Sequence, residues 1–484
     1  MSERVTDAAA TPLTASHDLP VSPALSAFIS TQWAPSPLPD LHEQPAAPWA
    51  AKRRAALSER FPGERLVIPA GVLKARVNDC DHLFRPHSGY AHLTGSEQTP
   101  DAVLVLEPDG NGHQATLYLR PRSPRDTDEF FRDRRFGEFW SGRRPTLDES
   151  ATTLRIECAH LDALPRALSG RSRTRVLRGV DPAVDALVAA HPEPGADAPL
   201  ASALAELRLV KDEWEIAQLQ QAVDDTTTGF EDVVRALPTA LRHRRGERWI
   251  EGVFNLRARA EGNGPGYQSI VGSGAHACVL HWIRNDGRLD PDALLLLDAG
   301  VETDTLYTAD ITRTLPLSGR FTPIQRDVYQ LELAAQQAGI DALRPGARFR
   351  DFHEAAMTVI AEGLAEWGIL PCSAEQALRA DDGRFRRYTL CSSGHMLGLD
   401  VHDCAQAPSG SYLDGRLEAG QVLTVEPGIY FQPDDLTLPP ELRGIGVRIE
   451  DDLVITEDGA RLMSSALPRD PDQIESWMER LLSE

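Results

Sequence analysis

The sequence predicts two domains of different class, an α/β domain followed by an α+β domain, and three observations carry that expectation. Up to about Ala203, short apolar runs alternate with stretches of helical period. Between Ala203 and Leu237 one long amphipathic pattern runs almost unbroken. Beyond Gly262 strand-like runs dominate, separated by two helical segments. With 484 residues, the chain can bury two or three separate cores.

Taken in order, residues 1–45 are rich in Ala, Pro, Ser and Thr without periodicity and read as a mostly disordered leader. WAAKRRAALSERF, from Trp49, reads as a helix that brings Trp49, Leu57 and Phe61 to one face. RLVIPAG, AVLVLEPDG and QATLYLRPR follow, each bounded by Gly, Pro or Asp as strands are. These elements define a first domain over residues 46–203. The amphipathic stretch, broken once, opens a second domain over residues 204–484. Its strands are YQSIVGSG, LLLLDAG, YTADITRTLPL, QVLTVEPGIYF and GVRIEDDLVIT, with helices near 323–343 and 349–368. Mostly antiparallel strands with helices on one side make an α+β layer.

Composition removes several function classes. A formal net charge of −22 offers no basic face for nucleic acid. No apolar run approaches the roughly 20 residues that span a bilayer, and the first residues carry no signal-peptide pattern. The six cysteines are scattered and form no CxxC pair, as expected of reduced thiols in a cytoplasmic protein.

The chemistry lies in acids embedded in apolar strands. Asp298 ends LLLLD, Asp310 sits in YTADITRT, Glu426 in VLTVEPG and Glu450 in VRIEDD. Burying one carboxylate costs several kcal/mol unless it is paired or ligates a metal. A single such acid has a bland explanation in a turn or a salt bridge. Four of them, with a histidine in GHMLGLDVHD, resemble the ligand set of a two-metal hydrolase. Asp298 and Asp310 are separated by the turn VETDT, so adjacent strands can bring them together. Arg448 and Glu450 share a strand face by period two, which lets the arginine orient the carboxylate, and Thr312 shares the face of Asp310.

Six segments in order, VGSGAHACVLHW, LLLLDAG, ADITRT, GHMLGLDVHD, LTVEPGIY and RGIGVRIEDDLVIT, closely resemble the pita-bread metallopeptidases of the Xaa-Pro aminopeptidase (aminopeptidase P) branch. The resemblance spans roughly residues 50–480. It implies a creatinase-like N-terminal domain and a pita-bread catalytic domain in a homo-oligomer. The implied substrates are peptides with proline in second position. It further implies that Asp298, Asp310, His395, Glu426 and Glu450 hold two divalent metal ions, with Asp310 and Glu450 bridging. A hydroxide between the metals would attack the scissile carbonyl, and Glu426 would carry the proton to the leaving amine. Oxygen-dominated ligation of this kind suits Mn2+. His281 and His402 match histidines that contact substrate, and Cys391, Tyr430 and Arg448 fall at substrate-side positions. More faintly, Asp79 falls where an acid sits near the substrate, and Phe131 where an aromatic residue reaches a neighbouring subunit. His276 and His353 match no such role and read as surface residues.

Two departures stand out. The family places a histidine four residues before the ligand histidine, whereas LCSSGH puts Cys391 there. The Asp298–Asp310 spacing is one residue longer than usual, an insertion a turn can absorb. The rival readings are a prolidase restricted to Xaa-Pro dipeptides and a non-peptidase member of the fold with a pocket altered at Cys391.

Overall fold

Arg65–Pro69 is buried at every position, as a strand covered on both faces must be. In the computed structural model, which describes residues 20–38, 41–96, 99–169, 173–188 and 195–484, this segment lies inside a mixed five-stranded sheet. The strands run Glu157–His160, Gly112–Leu119, Val103–Asp109, Arg65–Pro69, Thr174–Val176 in spatial order. Arg65–Pro69 pairs antiparallel with Val103–Asp109 and parallel with Thr174–Val176. Val67, Val103, Val105 and Val176 close the core against Leu164 and Val184. The three strands predicted from the sequence are all present. Glu157–His160 and Thr174–Val176 escaped prediction because they are short and lie at the sheet edges.

The chain divides into compact units after Ala201, inside the helix Ala198–Glu206. Of the expected leader, residues 1–19 and 39–40 lie outside the described residues. Residues 20–38 depart from disorder: Ser22 caps a helix, Pro23–Ile29, with Pro at its first turn. Trp33 then stands edge-on to buried Phe130, their ring centres 5.4 Å apart. Phe131, expected to reach outward, is buried within its own unit, while Phe139 and Trp140 are exposed. Asp79 accepts from Arg134 at 2.6 Å.

The second unit repeats one order of elements twice. Two helices, Glu213–Arg242 and Gly246–Glu261, precede the antiparallel strands Ile270–Ser273, Leu294–Ala299 and Ile311–Pro316. Two more, Pro323–Ala342 and Asp351–Glu366, precede Val422–Val425, Asp451–Ile455 and Ala460–Leu462. The expected break in the first amphipathic stretch falls at 207–212, where Val210 bridges Gln421. Asp212 and Glu215 then start the long helix with a capping box. The halves meet where Thr312 pairs with Glu450 as an antiparallel bridge. All six cysteines are free, and no described helix is long and apolar enough to cross a membrane.

Candidate active site

Asp298 follows four buried leucines, Leu294 to Leu297, on the middle strand of its sheet. Each such leucine contributes about 1.5–3 kcal/mol, enough together to hold a carboxylate where it would not go alone. Its cross-strand partner is Thr312. Asp310 lies just ahead of the strand Ile311–Pro316, and its N–H donates to Asp452 Oδ2 at 3.1 Å. The intervening turn, 303–307, is closed by the Thr303 N–H donating to the Tyr307 carbonyl at 2.9 Å, with Leu306 in the left-handed region at φ 72°.

Asp310, His395 and Glu450 place ligand atoms within 4.8 Å of one another. His395 Nε2 lies 3.3 Å from Asp310 Oδ2 and 3.2 Å from Glu426 Oε1. The Tyr267 hydroxyl bridges the remaining pair, 2.6 Å from Asp298 Oδ1 and 2.5 Å from Asp310 Oδ1. One hydroxyl has one proton to give, so two ionised carboxylates cannot both be satisfied by it. In agreement, burial and then the neighbouring Asp298 and Glu426 push Asp310 up to about 6. Burial, then Asp310, likewise raises Glu450 well above the usual carboxylate range.

Arg448 is the one guanidinium lining the cavity. Its Nη2 donates to Asp298 Oδ2 at 2.6 Å, its Nη1 to the Tyr430 hydroxyl at 2.8 Å, and its Nε to Thr312 Oγ1 at 3.2 Å. Arg448 therefore reaches Glu450 only through Thr312, whose hydroxyl donates to Glu450 Oε2 at 2.6 Å. The strand-face argument expected a direct contact. It fails because Arg448 ends one strand and Glu450 stands alone in a bridge. Glu450 Oε1 is buried without a hydrogen-bond partner.

Tyr267, Asp298, Asp310, His395, Glu426 and Arg448 line a cavity of about 240 Å³ with His281, His402, Cys391 and Ile270. Both histidines are exposed at its mouth, and the His402 ring meets His395 edge-on at 4.3 Å. Burial, then the charge of His395, lowers the His402 pKa. Cys391 is open to solvent on one side. The protein behind it, and then Glu426, still push its thiol up to about 11. Tyr430 is buried and meets the cavity only through Arg448.

Four carboxylates thus face one guanidinium and one imidazole, with one carboxylate oxygen unpartnered. This donor set fits divalent cations.

Comparison with known proteins agrees. A family model described as metallopeptidase family M24 matches residues 217–457, and one described as the aminopeptidase P N-terminal domain matches residues 50–176. The Xaa-Pro aminopeptidase 2 of Streptomyces coelicolor is 53% identical over 464 residues, covering 95% of this chain and 97% of that protein. The chain belongs to metallopeptidase family M24. As a member of that family it is a hydrolase. The Xaa-Pro aminopeptidase of Escherichia coli is 31% identical over 449 residues, 88% of this chain and 96% of its own. The solved structure of E. coli aminopeptidase P with the inhibitor Pro-Leu aligns with a TM-score of 0.79 and 28% identity. It covers 91% of this chain and all (100%) of that one. The fold is accordingly the pita-bread catalytic domain behind an aminopeptidase P N-terminal domain.

The sequence reading passed over three participants. Tyr267 was hidden because a lone tyrosine in a strand reads as packing. Asp452 supports the Asp310 backbone, and the acidic run of RIEDD was its signal. His353 is not a free surface residue, since its Nδ1 accepts from the Ser393 N–H at 3.2 Å and so braces the approach to His395. Nor is His276, which stacks on Trp282.

Proposed function

We propose that this protein releases the N-terminal residue from peptides carrying proline in second position. One observation carries the reading. Asp298, Asp310, Glu426 and an imidazole line one cavity, with the buried Glu450 carboxylate within 4.8 Å of Asp310 and His395, in a chain 53% identical to a protein named Xaa-Pro aminopeptidase. Asp310 and Glu450 would hold two divalent cations in common, His395 and Glu426 would complete one, and Asp298 would serve the other. When bound, the cations supply the Lewis acidity that turns water into a nucleophile near neutral pH and polarises the scissile carbonyl. The oxygen-rich set favours Mn2+.

The remaining work falls to the chain. Glu426, accepting from Thr424 at 3.2 Å, moves the proton to the leaving proline nitrogen. His281 and His402 contact the substrate and steady the oxygen that gains charge. Arg448 holds Asp298 and Tyr430 in place, and Cys391 forms part of the proline-side wall. The reading includes a cytoplasmic homo-oligomer, and the six free thiols support a reducing compartment.

The test is release of the free N-terminal amino acid from an Xaa-Pro-Yaa tripeptide, with Mn2+ and with chelator. Metal-dependent release is expected. Cleavage of Xaa-Pro dipeptides alone would make the protein a prolidase. No cleavage of either by folded, metal-loaded protein would leave a non-peptidase reading.

A further inference from the structure

Glu247 opens the helix Gly246–Glu261 and is fully buried, yet it lies outside the catalytic cavity. Four donors converge on its carboxylate. Oε1 accepts from the Ser273 N–H at 3.0 Å and from His276 Nδ1 at 2.7 Å. Oε2 accepts from Trp282 Nε1 at 2.9 Å and from the Gly287 N–H at 2.7 Å. An ionised carboxylate has about four acceptor positions, so this one is filled.

Three of the donors share one segment, and Ser273 is the strand residue that leads into it. Residues 274–293 run between the strands Ile270–Ser273 and Leu294–Ala299, with only the short turn Gly274–Cys278 as regular structure. His281 sits at the middle of this segment, next to Trp282. Trp282 is gripped twice: its indole N–H by Glu247, and its ring face by His276, stacked at 3.8 Å and 23°. Asn285, buried with φ 47°, adds a second tie by accepting from Val271 N–H and donating to the Ser269 carbonyl. The carboxylate also needs the bare backbone of Gly287, where an added Cβ would come within 2.7 Å of it. The helix N-terminus favours a negative charge at this place.

We infer that Glu247 is a positioning residue that fixes His281 at the cavity mouth by clasping Trp282, His276 and both ends of their segment. The inference rests on the reading of His281 as a substrate-contacting group. A carboxylate serving the core alone would also be buried and satisfied, but its loss would not act through His281.

The experiment is a double-mutant cycle on tripeptide cleavage with metal-loaded protein. Glu247→Gln keeps the shape but turns an amide N–H2 toward two N–H donors. We expect kcat to fall about 100-fold with KM little changed, the cost of slight misplacement, while metal content stays at the wild-type level. In a His281→Ala background the same change should alter kcat by no more than about twofold. The His281 imidazole resonances, followed with 15N-labelled histidine, should shift in Glu247→Gln. His276→Ala, which alters a half-exposed residue, should give a smaller loss with the same non-additivity, and it carries the test if Glu247→Gln does not fold. An equal fold-loss in both backgrounds overturns the inference alone. Wild-type rates for His281→Ala overturn the reading of His281 and the inference with it.

Discussion

The N-terminal unit and the candidate active site handle carboxylates in opposite ways. In the N-terminal unit the chain supplies its own counter-charges. Glu138 is held by Arg122 and Arg125 at 2.7 and 2.6 Å, Glu149 by Arg143 at 2.7 Å, and Glu64 by Arg175 at 2.7 Å. At the candidate site Asp298, Asp310 and Glu426 share Arg448 and His395, and Glu450 reaches Arg448 only through Thr312. Acidity therefore says little by itself. What marks a site is a group of carboxylates whose counter-charges the chain withholds.

The largest break in that contrast is Glu450→Ala. If Glu450 is a shared ligand, as proposed, its loss removes several kcal/mol of transition-state stabilisation, or about 10³-fold in rate. Tripeptide cleavage should fall by that factor, and elemental analysis should find less metal bound. Next comes Arg448→Ala, which strands the Asp298 carboxylate in a buried site. Breaking such a pair costs about 3–5 kcal/mol, to be read as a lower urea midpoint of the metal-free protein. Unchanged stability would mean that Asp298 does not depend on the guanidinium.

Cations should do from outside what arginines do inside the other unit. At about 100 times its dissociation constant, Mn2+ should stabilise the fold by about 2.7 kcal/mol, and chelator should reverse this in a thermal melt. The smallest effect belongs to the self-paired carboxylates. The Arg122 hydrogen bond holds Glu138 at about 2 instead of 4.5, and Arg143 does the same for Glu149. A depressed folded pKa gives stability that is present above the unfolded value and lost as pH falls through the folded one. Thermal stability should therefore decline between about pH 4.5 and 2, and less so in Glu138→Gln, which has no such proton to take up.

Much of this was legible in the sequence because burial leaves a pattern. LLLLD and VRIEDD show acids where period and composition demand core, and no propensity argument is needed to find them. The long helix and the first three strands were visible for the same reason. What stayed hidden depends on tertiary closure. Tyr267 acquires meaning only when Asp298 and Asp310 meet over its hydroxyl. Glu247 sits on a helix face that reads as solvated until residues 273–287 fold over it. The path from Arg448 to Glu450 through Thr312 crosses between halves, and no strand periodicity can express that. The Pro23–Ile29 helix was missed because its composition is that of a leader.

The bridge between Thr312 and Glu450 has a consequence for the birth of the molecule. It joins the two repeats of the catalytic unit, and the acids around it come from both. A growing polypeptide that has passed Asp310 holds two aspartates but no imidazole partner. One that has passed Glu426 still lacks the last acid. The cluster closes only when Glu450 pairs across to the first repeat. A chain interrupted anywhere before Glu450 therefore holds the first repeat's two aspartates without the acid that bridges to them.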